Sequence, residues 1–143
     1  MIKKYIMSLN RIEDRFAGVL IKALDTNRVL LILRSDKCSE PFKWALVSGG
    51  INAEEDTLEG LKREVFEELG TNPDILKYEF SKTEIEGDME FFYYEGFTEH
   101  EFSPILNEEH DDFGWFEVDN LPSPLFSKLG DKIKDICKIK KKK

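Results

Sequence analysis

Glu64, Glu67 and Glu68 stand at i, i+3 and i+4, the spacing that on a helix sends three carboxylates out of one side. Like charges at these intervals repel by a few tenths of a kcal/mol per pair in an isolated helix, so a compensating cation is expected. Lys62, Arg63 and a bound metal ion are the candidates. Hard divalent ions suit oxygen donors, and Mg²⁺ in particular is held by one or two carboxylates plus waters and substrate phosphates. Three glutamates on adjacent turns can hold one to three such ions and draw polyphosphate into an otherwise repulsive acidic pocket. Taken alone, the letters EVFEE more often mark a solvated helix face than a metal site, and the residues around them have to decide.

The helix that positions these residues runs from Thr57 to Leu69. Asp56 or Thr57 provides an N-cap oxygen, and Leu58, Leu61, Val65 and Leu69 form an apolar stripe opposite the glutamates. Gly70 and Pro73 stop the helix. Upstream, Arg15–Leu24 and Val29–Leu33 read as paired strands across the turn residues 25–28, and Trp44–Val47 is a further short strand ending at Ser48-Gly49-Gly50. Downstream, Ile75–Ile85 and the aromatic-rich Met89–Phe97 read as antiparallel partners across Gly87-Asp88. Ser103–Asp112 is an acidic loop and Gly114–Val118 a short strand. A second helix carries Leu125, Leu129, Ile133, Ile136 and Cys137 on one side and ends in Lys140–Lys143, a charge run read as a solvated tail. The pattern is a mixed sheet with at least two helices and no internal repeat.

Composition narrows the function. The 143 residues fit one globular domain spanning 1–143. A net charge of −8 argues against tracking a nucleic acid polymer, which needs a basic surface, but not against a small phosphorylated substrate bound through a metal ion. Cys38 and Cys137 lack metal-ligand spacing and read as free thiols. No signal peptide or membrane span is visible, so the expected location is the cytoplasm.

Read from Gly49, the segment GGINAEEDTLEGLKREVFEELGT places Gly49, Glu55, Arg63, Glu64, Val65, Glu67, Glu68 and Gly70 in fixed register. This resembles the Nudix signature, Gly-x5-Glu-x7-Arg-Glu-U-x-Glu-Glu-x-Gly-U with U a bulky aliphatic residue, of MutT-like pyrophosphohydrolases. The preceding Trp-x-Leu-x-x-Gly-Gly, the later acidic loop before a Trp-containing strand and the C-terminal helix are also similar to that family. The resemblance implies an α/β fold, the Nudix α/β/α sandwich with a mixed β-sheet between helices. It implies a hydrolase of acid anhydrides in phosphorus-containing compounds, with Mg²⁺ as cofactor and Mn²⁺ as its substitute.

By the same resemblance Glu64, Glu67 and Glu68 are metal ligands, with a backbone carbonyl from Gly49 or Gly50, while Glu55 and Arg63 form an ion pair that anchors the loop to the helix. Gly49, Gly50, Glu55, Arg63 and Gly70 form the structural frame of the motif. Relatives place another glutamate in the acidic loop as ligand or general base. Glu109 is the first choice here and Glu108 the second; His110 is a tempting base, though a loop histidine beside acids is more often a bystander. Glu64, Glu67 and Glu109 are thus the candidate catalytic residues, and either Glu67 or Glu109 would take the proton of the attacking water. Arg34 could meet a phosphate, and Phe42 or Trp44 could stack on a base.

Three departures from the pattern stand out: Thr71 replaces the last aliphatic residue, Ser48 stands where relatives have Pro, and the segment from Gly50 to Glu55 is one residue short, which leaves the identity of the carbonyl ligand open. The expected reaction is hydrolysis of a canonical or oxidised nucleoside triphosphate to monophosphate and pyrophosphate by a monomer or homodimer with no membrane partner. ADP-ribose or nucleotide-sugar hydrolysis is the alternative enzyme reading. A non-catalytic nucleotide sensor is the alternative class, disfavoured because all three helix glutamates are present.

Overall fold

The computed structural model describes residues 14–141. Seven strands are found among them: β1 (Arg15–Ala23), β2 (Val29–Arg34), β3 (Trp44–Ala45), β4 (Val47–Gly50), β5 (Lys77–Glu86), β6 (Met89–Thr98) and β7 (His110–Phe116). Two α-helices, α1 (Thr57–Leu69) and α2 (Leu129–Lys141), complete the set together with a short 3-10 turn at Pro73–Ile75.

The sheet runs β3-β2-β1-β6-β5, with β4 pairing β1 and β7 pairing β2. β1 and β6 are parallel from Arg15↔Glu90 to Ala23↔Thr98, and the other pairings are antiparallel. The sheet is therefore mixed. Alternation along β1 and β2 sends Ala17, Val19, Ile21, Leu30 and Ile32 to one face, where they meet Leu61, Val65 and Leu69 of α1. Leu20, Val29 and Leu31 point the other way, to Leu129, Ile133 and Ile136 of α2. The β-strands are apolar on both sides because both sides are covered, and the result is the expected α/β/α sandwich.

Local chemistry fixes α1. Asp56 Oδ1 accepts from the Glu59 amide at 2.8 Å and Glu59 Oε1 accepts from the Asp56 amide at 3.1 Å, a reciprocal cap. Gly70 ends the helix at φ 62°. The left-handed turn favours glycine, and an added Cβ would also lie 2.8 Å from the Ile105 carbonyl oxygen, where the acidic loop crosses the helix end.

Three elements differ from expectation. The single strand expected over Trp44–Val47 is divided: β3 pairs with β2, while β4 starts at Val47 and runs on through Ser48, Gly49 and Gly50, which pair with Gly18, Ala17 and Phe16 of β1. The supposed loop ends early, since β7 begins at His110 and pairs with Arg34. Leu125 lies outside α2. Lys128 adopts φ 61°, which breaks the helical path, and Leu125 instead bridges Trp44. Of the terminal lysines, Lys142 and Lys143 lie outside the described residues. Among the described residues no helix is long and apolar enough to cross a membrane.

Candidate active site

Glu64 and Glu68, one turn apart on α1, converge under β4. A Cβ built on Gly49 would sit 2.1 Å from Glu64 Cδ and 2.2 and 2.3 Å from its two carboxylate oxygens, so the Glu64 carboxylate lies flat against the glycine backbone. Glu68 is 4% exposed. Its carboxylate accepts a hydrogen bond from the Ser48 backbone and faces Glu64, while Oε1 is buried without a partner. Burial, then the neighbouring Glu64 and Glu109, push the Glu68 carboxyl up to about 9. Glu64 is raised as well, by burial first and by Glu67 next, with Arg63 opposing.

Two carboxylates that both resist ionisation, one with an orphaned buried oxygen, are short of positive charge. A hard divalent cation would supply it. Among the described residues no three His, Cys, Asp or Glu side chains are gathered to ring one ion. The arrangement is a pair, which is what Mg²⁺ takes when waters and phosphates complete its shell. Glu67 is turned aside, half exposed, with Oε2 3.4 Å from Arg63 Nη1.

Arg63 is the hub of the adjacent loop. Its Nε and Nη2 donate to the Glu55 carboxylate at 2.8 and 3.1 Å, Nη2 also donates to the Gly50 carbonyl at 2.9 Å, and Nη1 reaches Glu64 at 3.3 Å. Glu55 closes the loop by accepting from the Asn52 amide at 2.9 Å. The Arg63 hydrogen bonds, followed by the Asn52 amide, hold Glu55 below the usual carboxylate range. The guanidinium engages one lone pair of the Gly50 carbonyl and ties loop, strand and helix together.

The acidic loop is pinned beside this pair. Asn107 Nδ2 donates to the Glu67 carbonyl at 3.1 Å and Asn107 Oδ1 accepts from the Glu109 amide at 3.1 Å. From the other side the Ser35 amide donates to the Glu109 carbonyl at 2.9 Å and Ser35 Oγ to the Glu108 carbonyl at 2.9 Å. Glu109 is close enough to raise both Glu64 and Glu68. His110 is buried, and burial followed by the nearby Arg34 charge lowers its imidazole to about 4. It is therefore a neutral ring packed inside, with Nδ1 unpartnered.

On the α2 face a cleft of about 460 Å³ begins at Ser48 and Gly49 and runs past Phe16, Phe91, Phe126 and Lys132. Phe16 and Phe91 stack at 5.2 Å, a consequence of their direct pairing between β1 and β6. Arg34 lines the cleft, with its guanidinium 4.7 Å from the Phe126 ring and Nε donating to the Ser39 carbonyl at 2.8 Å. The structure does not bring Phe42 or Trp44 to the cleft lining. Phe42 is 55% exposed, and Trp44 packs edge-on against Phe116 at 5.2 Å. Phe16, Phe91 and Phe126 are the aromatic walls that sequence reading missed. The register of β1 on β6, a parallel pairing between strands far apart in sequence, is what would have revealed the first two.

The NUDIX domain family model matches residues 14–135. No curated protein sequence matches significantly. Among solved structures, the chain is similar to a Nudix hydrolase from M. smegmatis (TM-score 0.76, 17% identity, 91% of this chain and 87% of that one). It is also similar to a C. elegans Ap4A hydrolase (0.73, 19%, 90% and 99%) and to the E. coli dihydroneopterin triphosphate pyrophosphohydrolase (0.63, 24%, 74% and 82%).

Proposed function

This chain belongs to the NUDIX domain family and is a hydrolase of pyrophosphate bonds, and from that premise we propose that it cleaves a nucleoside triphosphate, canonical or oxidised, to the monophosphate and pyrophosphate with Mg²⁺. The observation that carries the metal reading is the Glu64/Glu68 pair beneath Gly49, with both carboxyls raised and one buried oxygen without a partner. Glu64 and Glu68 would hold the ion. When bound, Mg²⁺ supplies charge neutralisation and acidifies a coordinated water. Arg63, locked on Glu55 and the Gly50 carbonyl, keeps β4 and α1 at fixed separation. Glu67, half exposed, and Glu109, whose backbone is held by Asn107 and Ser35, are the candidates to take the proton of the attacking water. The Phe16–Phe91 wall and Phe126 give a base somewhere to stack.

Two of the similar proteins are named for hydrolysis of Ap4A and of dihydroneopterin triphosphate, and both compounds belong in the same test. Canonical and oxidised nucleoside triphosphates, dinucleoside polyphosphates, ADP-ribose, nucleotide sugars and a pterin triphosphate are incubated with Mg²⁺ or EDTA, and pyrophosphate and phosphate release are measured. Turnover of a nucleoside triphosphate that EDTA abolishes is expected. Turnover of ADP-ribose or a nucleotide sugar alone would replace the substrate reading. No turnover of any, with tight nucleotide binding, would make the chain a nucleotide sensor.

A further inference from the structure

The α2-face cleft continues past Phe91, Tyr93 and Phe126 into a depression of about 690 Å³ whose wall carries Glu84 of β5 and Lys132 of α2. Glu84 is bridged on both oxygens: Oε1 to Lys132 Nζ at 2.5 Å and Oε2 to Lys82 Nζ at 3.1 Å. All three side chains are partly covered, at 35%, 24% and 20% exposure respectively, rather than free on the surface. Resting on the reading of this cleft as the place of the base, we propose that Glu84 selects the base by accepting the two adjacent N–H donors of a 2-amino-oxo ring edge, such as that of guanine.

The match is one of donor and acceptor count. An ionised carboxylate has about four acceptor positions on its two oxygens. Each lysine bonds to one oxygen, which leaves an acceptor position on each. The Lys132 hydrogen bond, reinforced by Lys82, also holds Glu84 below the usual carboxylate range, so it offers no proton of its own. Guanine presents N1–H and an N2 amino hydrogen next to each other, with O6 beyond them for the Lys132 ammonium. Adenine and cytosine put an amino donor beside a bare ring nitrogen, whose lone pair would face a carboxylate oxygen. Uracil and thymine offer one N–H between two carbonyls, and hypoxanthine lacks the amino group. The same 2-amino-oxo edge occurs on a pterin.

The test is equilibrium binding by calorimetry of guanosine, inosine and adenosine 5′-monophosphates to the full chain, independent of turnover. GMP should bind roughly ten- to a hundredfold more tightly than IMP, the usual range for a paired base contact, and AMP more weakly still. In Glu84→Gln the GMP-to-IMP ratio should collapse toward one, because the amide offers one acceptor and one donor. Equal affinity of the wild type for GMP and IMP overturns the proposal even if the variant fails to fold, and so does an intact ratio in a folded variant. A phosphorylated pterin that binds as tightly as GMP supports the same edge from another source, whereas GMP alone assigns it to guanine. Selective GMP binding without hydrolysis of any triphosphate would sustain this inference and remove the proposed reaction. Equal binding of GMP and IMP alongside Mg²⁺-dependent triphosphate hydrolysis would do the reverse.

Discussion

Replacing Gly49 by Ala puts a methyl group into the space that the Glu64 carboxylate fills. The added carbon would lie 2.1 Å from Glu64 Cδ, whereas carbon atoms rest at about 3.5–4.0 Å. The carboxylate must retreat by roughly 1 Å or more, and misplacements of that size cost about a hundredfold in rate. The fold accommodates the methyl far more easily than the chemistry does. Glu64 meets the methyl with the far end of a flexible side chain, and an off-rotamer shift there costs about 0.5–1.5 kcal/mol, a loss of a few degrees in melting temperature for a chain of this size. Gly50→Ala is the matched comparison, because its Cβ would meet only Phe16 Cε2 at an ordinary 3.8 Å.

The assay is steady-state hydrolysis of the best substrate at saturating Mg²⁺, with thermal melts of both variants. Gly49→Ala should lose about two orders of magnitude in kcat and melt within a few degrees of wild type, with Gly50→Ala affected much less. A Gly49→Ala protein with wild-type kcat would refute the placement of Glu64 at the reacting centre. A variant that is equally slow at both glycines would trace the loss to β4 as a whole.

Glu67→Gln should lower kcat by about two orders of magnitude or more with little change in melting temperature, since the carboxylate is half exposed and groups of this kind contribute on that scale; wild-type turnover would pass the proton-accepting role to Glu109. For Glu68, a folded-state value of about 9 lies above the ordinary 4.5, so the metal-free protein holds a proton that the unfolded chain releases. That contribution to stability is complete below the unfolded value and is lost as pH rises through 9. Mg²⁺ binding near neutral pH should therefore release protons and tighten as pH rises, detected as a buffer-dependent heat in calorimetry; a heat independent of buffer would contradict it. His110 has the opposite sign. Its folded value of about 4 is below the ordinary 6.5, so stability is complete above 6.5 and falls as pH drops toward 4, by about 3 kcal/mol at most. His110→Leu should flatten that acid limb in melts from pH 7 to 4, and an unchanged slope would show that the ring is solvated.

The helix was legible to the residue because its signals are local. Asp56, Glu59 and Gly70 cap it, and the leucine stripe declares its buried face. The ion pair of Glu55 with Arg63 followed from the motif and is present at 2.8 Å. What sequence could not give was long-range register. Phe16 and Phe91 become one wall only through the parallel pairing of β1 with β6, and Trp44 looks like a base platform until Phe116 is found edge-on to it. Likewise, three glutamates at i, i+3 and i+4 share a side of the helix, but spacing does not say which rotamers they take. Arg63 draws Glu67 away, and β4 closes over the other two.

The missing proline finds a physical reading in β4. Ser48 and Gly49 are successive strand residues, so they face opposite sides of the sheet. The Ser48 side chain lines the α2-face cleft while its backbone bonds to the Glu68 carboxylate, and Gly49 lies on Glu64. A proline at 48 would have no N–H to offer Glu68. With serine there, one peptide unit joins the floor of the α2-face cleft to the acidic pair, and under the proposed function a nucleotide lying across β4 would reach both with its base and its phosphates. The Glu68 carboxylate then depends on a backbone donor at the boundary between the two halves of the site, so a change in the cleft that shifts β4 should alter metal affinity as well as base selection.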